Sequence, residues 1–291
     1  MQNYMLVLIA AVLLAVDFAL QKGYQQKQGT DLKAGLTFNA VVGLVTAILF
    51  FCVNGFAVKF SLYAIIMATC MSICLLSYTI LGFKVLKEGN MAFYTLFLIT
   101  GGMMVPYVWG ILFLNEQLSV LRLTGLIIIV VAIILSNCST VKTTPKTMVL
   151  CVVIFFLNGG CSVISKLCQI PGAYGIVEPT EFVMWTGITR FLLCSTVLFI
   201  LRFKTHQENA ERSDFRAVLP IIVGSAVVSG VSYMLQLIGA ANLPATVPYP
   251  IVSGGSIIFS TIAGAICFKE KPGILQKISV ALCFVGTCLF L

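Results

Sequence analysis

Ten apolar segments recur along the chain, and they restrict its fold more than any other feature of the sequence. A helix crosses a bilayer core with roughly 20 apolar residues, because backbone polar groups at that depth must bond within the segment. With 59% hydrophobic and 10% charged residues, the chain keeps no stretch polar enough for a soluble domain. The pattern predicts an all-α integral membrane protein with spans at residues 3–24, 32–53, 60–83, 91–114, 119–137, 147–168, 180–201, 216–240, 246–268 and 273–291.

Most of the positive charge lies between these segments. Of the 18 Lys and Arg residues, fourteen follow odd-numbered segments and three follow even-numbered ones. Cytoplasmic loops carry the excess of Lys and Arg, so both termini are expected on the non-cytoplasmic side of a plasma membrane. Contact with the lipid bilayer explains the net charge of +8, and no nucleic-acid partner is needed to account for it.

Cysteine and histidine do not form a metal-binding pattern. The 11 cysteines contain no CxxC pair and the one histidine, His206, lies in a polar loop, so neither a metal site nor a cofactor is expected. Sulfur does line one helical face at Met67, Cys70, Met71 and Cys74, but Met and Cys are also common apolar filler. The chain has no nucleophile motif and no clustered carboxylates, which argues against an intramembrane enzyme.

The chain repeats itself after about half its length. At an offset of 154 residues, GILFLNEQLSVLRLTG (110–125) lies over GAICFKEKPGILQKIS (264–279), which matches Glu116 with Glu270. Lys22 and Lys166 likewise stand near the ends of the first and sixth spans. We therefore predict two five-span repeats, 1–137 and 147–291, joined by a linker at 138–146. An odd number of spans places the second repeat upside down, a common plan of secondary transporters.

With these motifs the chain resembles the EamA-like ten-span carriers of the drug/metabolite transporter superfamily. The resemblance covers nearly the whole chain and rests on residues 106–125 (PYVWGILFLNEQLSVLRLTG), their echo at 254–279 and the two matched lysines. Family patterns have an Arg in the second span of each half. Arg190 provides the second one, whereas Asn39 takes the matching place in the first half, and Ser279 replaces a glycine. The resemblance implies ten spans and outward transport of amino acids or related metabolites.

Two charged residues inside spans are the first candidates for substrate binding, because a charge at membrane depth is costly. Asp17 could contact a substrate cation or couple transport to protons, or it could pair with Lys22. Arg190 could clamp a carboxylate or phosphate of the substrate, or it could form an internal pair with Asp17 or Glu181. The sequence leaves these alternatives open.

Three tyrosines, Tyr94, Tyr233 and Tyr249, fall in spans that carry the repeat and are further candidates for substrate binding. With Asp17 they could cage an organic cation or stack on a flat substrate. Aromatic residues also anchor any membrane protein at its two interfaces.

Proline and glycine mark two further segments. The stretch 242–255, NLPATVPYPIVSGG, predicts an irregular turn at the start of the ninth span. Such backbone is tolerated at membrane depth where it lines a cavity or is buried in protein. We interpret this segment and its first-half counterpart as gates or cavity walls, with close helix packing as the alternative. The residues concerned are Gly101, Pro106, Pro250 and Gly254.

The matched acids and lysines have simpler interpretations. Glu116 and Glu270 each stand where one span ends and the next begins, so each can accept hydrogen bonds from the free amides of the following helix. Lys22 and Lys166 are expected to extend toward the lipid headgroups, with substrate contact as the alternative.

The expected function is that of a secondary transporter that moves a small polar metabolite by alternating access. The alternative is a carrier of lipid-linked or organic-cation substrates. The expected partners are a small-molecule substrate and the bilayer, and the oligomeric state stays open, a monomer included.

Overall fold

The computed structural model of the protein describes residues 1–87, 91–136, 144–171, 175–204, 215–269 and 273–291. These residues contain ten helices that match the predicted spans, so the all-α prediction is confirmed. Eight of the helices are long and apolar enough to cross a membrane, while α5 and α10 are shorter apolar helices. The helices are α1 (Gln2–Gln28), α2 (Leu32–Val53), α3 (Leu62–Lys87), α4 (Met91–Phe113), α5 (Val120–Ser136), α6 (Pro145–Leu167), α7 (Pro179–Lys204), α8 (Phe215–Asn242), α9 (Pro248–Cys267) and α10 (Ile274–Cys288).

Helix packing follows the predicted repeat. The helix α1 packs on α8 and α9, and its counterpart α6 packs on α3 and α4. The helices α2 and α7 pack on each other, and so do α5 and α10. In each pair, a helix of the first half contacts its own counterpart in the second half. This is the arrangement of two five-helix repeats related by a pseudo-twofold axis. The exact repeat boundaries stay a prediction, since most of the proposed linker lies outside the described residues.

The helices α2 and α7 touch through two glycines. A Cβ atom on Gly43 would lie 2.8 Å from the carbonyl oxygen of Gly187, and a Cβ on Gly187 would lie 2.8 Å from the carbonyl oxygen of Gly43. This reciprocal contact makes the two glycines equivalent. Three residues further on, Arg190 then corresponds to Thr46, so the matching of Arg190 with Asn39 drawn from the sequence is wrong.

The helices α5 and α10 cross through small side chains. Here Gly125 meets Gly286, where a Cβ on Gly125 would lie 2.9 Å from the Gly286 carbonyl oxygen. The hydroxyl of Ser279, which replaces the expected glycine, donates a hydrogen bond of 2.7 Å to the carbonyl of Ala132. The serine is fully buried, and its backbone partner satisfies the hydroxyl. The departure from the family pattern therefore adds a polar contact to this crossing.

Candidate functional site

Asp17 lies near the middle of α1 and is 3% exposed. Its carboxylate accepts a hydrogen bond of 2.6 Å from Gln21 Nε2, one turn further along the same helix. The second donor is the hydroxyl of Ser225, which comes from α8 in the other half. Asp17 forms no ion pair with the residues that the structure describes, so the alternative of pairing with Lys22 is not seen. Neutral donors therefore hold this buried carboxylate.

Arg190 lies near the middle of α7 and is half-buried. Two nitrogens of its guanidinium donate to the side-chain oxygen of Asn39. The distance from Nε is 3.1 Å, and Nη2 donates to the same oxygen. The amide of Asn39 is oriented in turn by its own donation of 2.7 Å to the Gly35 carbonyl. Glu181, a predicted partner, instead pairs with Lys59 at 3.7 Å. No ion pair between Arg190 and Glu181 is seen, while the charge of Arg190 does act on Asp17. A guanidinium with five N–H donors keeps several beyond Asn39.

The two charges act on a common region between the halves. The positive charge of Arg190 lies within electrostatic reach of Asp17 on one side and of Tyr78 on α3 on the other. Tyr78 in turn neighbours Tyr94 of α4. The Tyr94 ring packs against α3, where a Cβ on Gly82 would lie 2.5 Å from it. Helices of both halves thus contribute charged or phenolic groups to this region.

The other two candidate tyrosines lie elsewhere. The hydroxyl of Tyr233 is 2.7 Å from Ser165 Oγ and 3.1 Å from the Met71 sulfur. Tyr249 lies in the first turn of α9, where its buried hydroxyl has no partner among the described residues. Neither these two nor Tyr94 donates a hydrogen bond to Asp17. Their part in substrate binding stays a prediction.

Glu116 bonds across the two halves. Its carboxylate accepts hydrogen bonds from the backbone N–H groups of Ala245 at 2.5 Å and Thr246 at 2.9 Å. These amides lie in the connection before α9, whereas the sequence predicted amides of the helix that follows Glu116 itself. The acid therefore joins the first half to the second, and a purely structural role for it stays a prediction. Glu270 lies outside the described residues.

Lys166 binds the other end of the segment that joins α8 to α9. Its ammonium donates to the carbonyls of Ala240 at 2.5 Å and Leu243 at 2.7 Å, at the C-terminal end of α8. A cation there is favoured by the helix dipole and satisfies carbonyls that have no partner within the helix. Lys166 is 6% exposed, so its predicted extension to the headgroups is wrong. Lys22 of α1 lies over the Phe268 ring at 4.8 Å.

The proline and glycine segments pack closely in this structure. Gly101 touches the backbone of Phe155 so tightly that a Cβ would overlap it, while Pro106 is buried inside α4. The predicted irregular turn is present before α9, where Pro250 is buried in the first helical turn. A Cβ on Gly254 would collide with Thr287 of α10. These contacts match the close-packing alternative, and a gating role stays a prediction.

The sequence did not predict which side chains hydrogen-bond to Asp17 and Arg190. Gln21 could have been found, because it stands four residues after Asp17 on a predicted helix. Ser225 and Asn39 could not, because each contact depends on how α8 or α2 meets a helix of the opposite half. The matched lysines did carry one more signal, since counting five residues back from each makes Cys161 the equivalent of Asp17.

Comparison with known proteins shows which family the chain matches. A sequence model described as the EamA-like transporter family matches residues 146–291, just over half of the chain. A search of curated proteins finds no match. One solved structure, titled "Crystal structure of protein", is similar with a TM-score of 0.74 and 12% identity over 99% of this chain and 98% of that chain. At that identity the likeness shows the fold alone.

Proposed function

Because the chain belongs to the EamA-like transporter family, we propose that this multi-pass membrane protein moves a small polar metabolite through a site at Asp17 and Arg190. One observation carries the proposal. Two opposite charges lie halfway along their helices, and neutral side chains hold each of them. A charge inside a span that makes no contact ion pair is costly, so it is retained where it has a use.

The substrate class follows from the two charges. A carboxylate held by Gln21 and Ser225 can receive a ligand ammonium, because each of its oxygens has capacity for more than one donor. The free donors of Arg190 can receive a ligand carboxylate, for which a planar guanidinium is well suited. A zwitterion such as an amino acid or a related compound complements both. The expected partners are thus this small-molecule substrate and the lipid, with no cofactor.

Alternating access gives the contacts between halves a role. The Asp17–Ser225 and Arg190–Asn39 hydrogen bonds each join a helix of the first half to a helix of the second. If the halves rock about the central site, a ligand at these residues favours one arrangement over the other. Export across the plasma membrane is the direction that the family resemblance supports. The loop charges support an orientation with both termini outside.

A carrier of lipid-linked substrates is the second candidate, and one feature favours it. A groove of about 380 Å³ runs between α4 and α5 and is lined by Tyr107 and otherwise by apolar side chains, among them Met104, Leu123 and Val130. It could hold an acyl chain. Asp17 and Arg190 are absent from its lining, however, so a lipid-linked substrate would have to span two separate sites.

Counterflow in proteoliposomes tests the proposal with a panel of labelled amino acids. We expect saturable uptake by the wild type, its loss in Asp17→Asn and Arg190→Gln, and unchanged uptake in two matched controls. The controls are Asp31→Asn and Arg202→Gln, which alter exposed residues at helix ends. Full transport by both Asp17→Asn and Arg190→Gln would exclude these residues from the site. Uptake of an isoprenoid-linked sugar instead of amino acids would favour the second candidate.

A further inference from the structure

Two thiols from opposite halves lie beside Tyr78, and neither belongs to the Asp17–Arg190 pair of the proposed substrate site. Cys74 lies in the middle of α3 and Cys161 lies on α6. Their side chains are neighbours across the contact between the two helices. The Cys161 thiol also lies 3.8 Å from the backbone carbonyl of Met71, one turn before Cys74 on α3. Both contacts place the Cys161 sulfur directly against the α3 helix.

We propose that Cys74 and Cys161 form a dithiol site for a thiophilic ligand that binds two sulfurs at once, with trivalent organic arsenicals as the ligand class. Soft thiol sulfurs are the ligands that such centres prefer. The Cys161 sulfur already lies against the turn of α3 that carries Cys74, so the two thiols need little rearrangement to hold one atom between them. Cys161 is 7% exposed and Cys74 is partly exposed, so the bridge would extend inward from Cys74 between α3 and α6.

The chemistry balances without an oxidant. An arsenical R–As=O condenses with two thiols to give R–As(S–Cys)₂ and one water. Two S–H bonds and the As=O bond break, two As–S bonds form, and the oxygen leaves with both protons. The oxidation state of arsenic and of both sulfurs is unchanged. Because the second thiol reacts within the same molecule, its effective concentration is high and the bridged product outcompetes adducts with free monothiols.

The site has a mechanical consequence, which rests on the proposed alternating-access function. The helix α3 belongs to the first half and α6 to the second, and the two helices pack together. A covalent bridge between Cys74 and Cys161 would fix the halves in the arrangement seen here. Transport would then stop, although neither Asp17 nor Arg190 had been touched.

Phenylarsine oxide is the probe, since it is apolar enough to enter the bilayer. The full-length purified protein is incubated with it in excess glutathione, and the bound arsenical is counted by intact-protein mass spectrometry. We expect the wild type to retain one more arsenical than Cys74→Ser or Cys161→Ser. Cys70→Ser is the matched control, because Cys70 lies exposed one turn before Cys74 and is the nearest rival partner on α3. This control should bind like the wild type, and 2,3-dimercaptopropanol should remove the adduct.

The outcomes separate the site from the function. Equal retention by the wild type and Cys161→Ser would overturn the dithiol proposal. Loss of retention in Cys70→Ser but not in Cys161→Ser would also overturn it, in favour of a Cys70–Cys74 bridge within α3. If the predicted adduct forms while amino-acid counterflow continues undiminished, the dithiol site stands and the rocking of the halves is refuted. Block of transport in the wild type but not in Cys161→Ser supports both.

Discussion

The first helices of the two halves place different chemistry at equivalent positions. On α1, Asp17, Gln21 and Lys22 follow one another with the spacing of Cys161, Ser165 and Lys166 on α6. The carboxylate of Asp17 bonds to α8 of the other half, and the thiol of Cys161 meets α3 of the other half. The repeat therefore conserves which helices meet, while the side chain at the meeting point differs. A charge stands on one side and a thiol pair on the other.

The pseudo-twofold axis therefore relates the helices of the two halves but not the polar side chains at equivalent positions on them. Arg190 has the same asymmetry, because Thr46 stands at its equivalent position on α2 and donates to the Ala226 carbonyl at 3.4 Å. A substrate bound at the proposed site would meet a carboxylate on α1 and a guanidinium on α7, and neither group has a copy at the equivalent position. We therefore expect the site to hold its substrate in a single orientation.

The largest expected effect comes from moving the carboxylate to the other half. The double variant Asp17→Cys with Cys161→Asp moves the carboxylate from α1 to α6. It then lacks the hydrogen bonds from Ser225 and Gln21 and lies beside Cys74. A hydrogen bond to a charged group contributes about 1.5–3 kcal/mol, so the half-saturation concentration should rise by about tenfold to a hundredfold. Counterflow kinetics measure it. Wild-type affinity in the swapped protein would show that the two places are interchangeable and that the asymmetry is without function.

Removal of the buried ammonium should have the next largest effect. Lys166→Met leaves the carbonyls of Ala240 and Leu243 without their donor, and we expect a loss of about 1.5–3 kcal/mol in stability. Thermal unfolding in detergent, followed by tryptophan fluorescence, measures the change. The control Lys146→Met alters an exposed residue at the start of the same helix and should unfold like the wild type. A substrate role without a structural one would leave both variants equally stable.

A smaller effect is expected for the acid on the same connection. Glu116→Gln keeps one acceptor oxygen and loses the charge, so the two backbone bonds to Ala245 and Thr246 weaken by about 1 kcal/mol in total. The same unfolding assay applies, with Glu178→Gln as an exposed control. Additive losses in the double variant with Lys166→Met would argue against one joint clamp, because groups that share a segment are expected to couple.

The smallest effect should come from Ser279→Ala. This change removes a single neutral hydrogen bond across the α5–α10 crossing, and we expect about 0.5–1.5 kcal/mol of destabilisation with transport unchanged. Comparison of unfolding temperatures with Ser260→Ala, whose hydroxyl bonds within its own helix, isolates the contribution of the contact between helices. An unfolding temperature equal to that of Ser260→Ala would mean that the interhelical bond adds no stability.

The sequence predicted the ten spans well because bilayer thickness dictates their length and composition. It predicted the repeat but not its register. The offset is 144 residues at Lys22 and Lys166 and 154 residues at Glu116 and Glu270, so no single alignment places α2 correctly. That is why Asn39 was matched with Arg190, although Asn39 is its hydrogen-bond partner. Lys166 was misplaced because position near the end of a span says nothing about the carbonyls that another helix brings to it.

The described parts of α5 and α10 are shorter than those of the other eight helices. At 1.5 Å per residue, their 17 and 15 described residues reach about 26 and 22 Å, whereas a hydrocarbon core is about 30 Å thick. The two helices pack against each other, so a shortfall would be concentrated on one flank of the molecule. If both helices end at these bounds, lipid there has to compress or its headgroups have to dip inward, at a cost that grows with each ångström of mismatch. The protein should therefore be more stable in vesicles of shorter-chain lipids and should collect where a cell's membrane is thin.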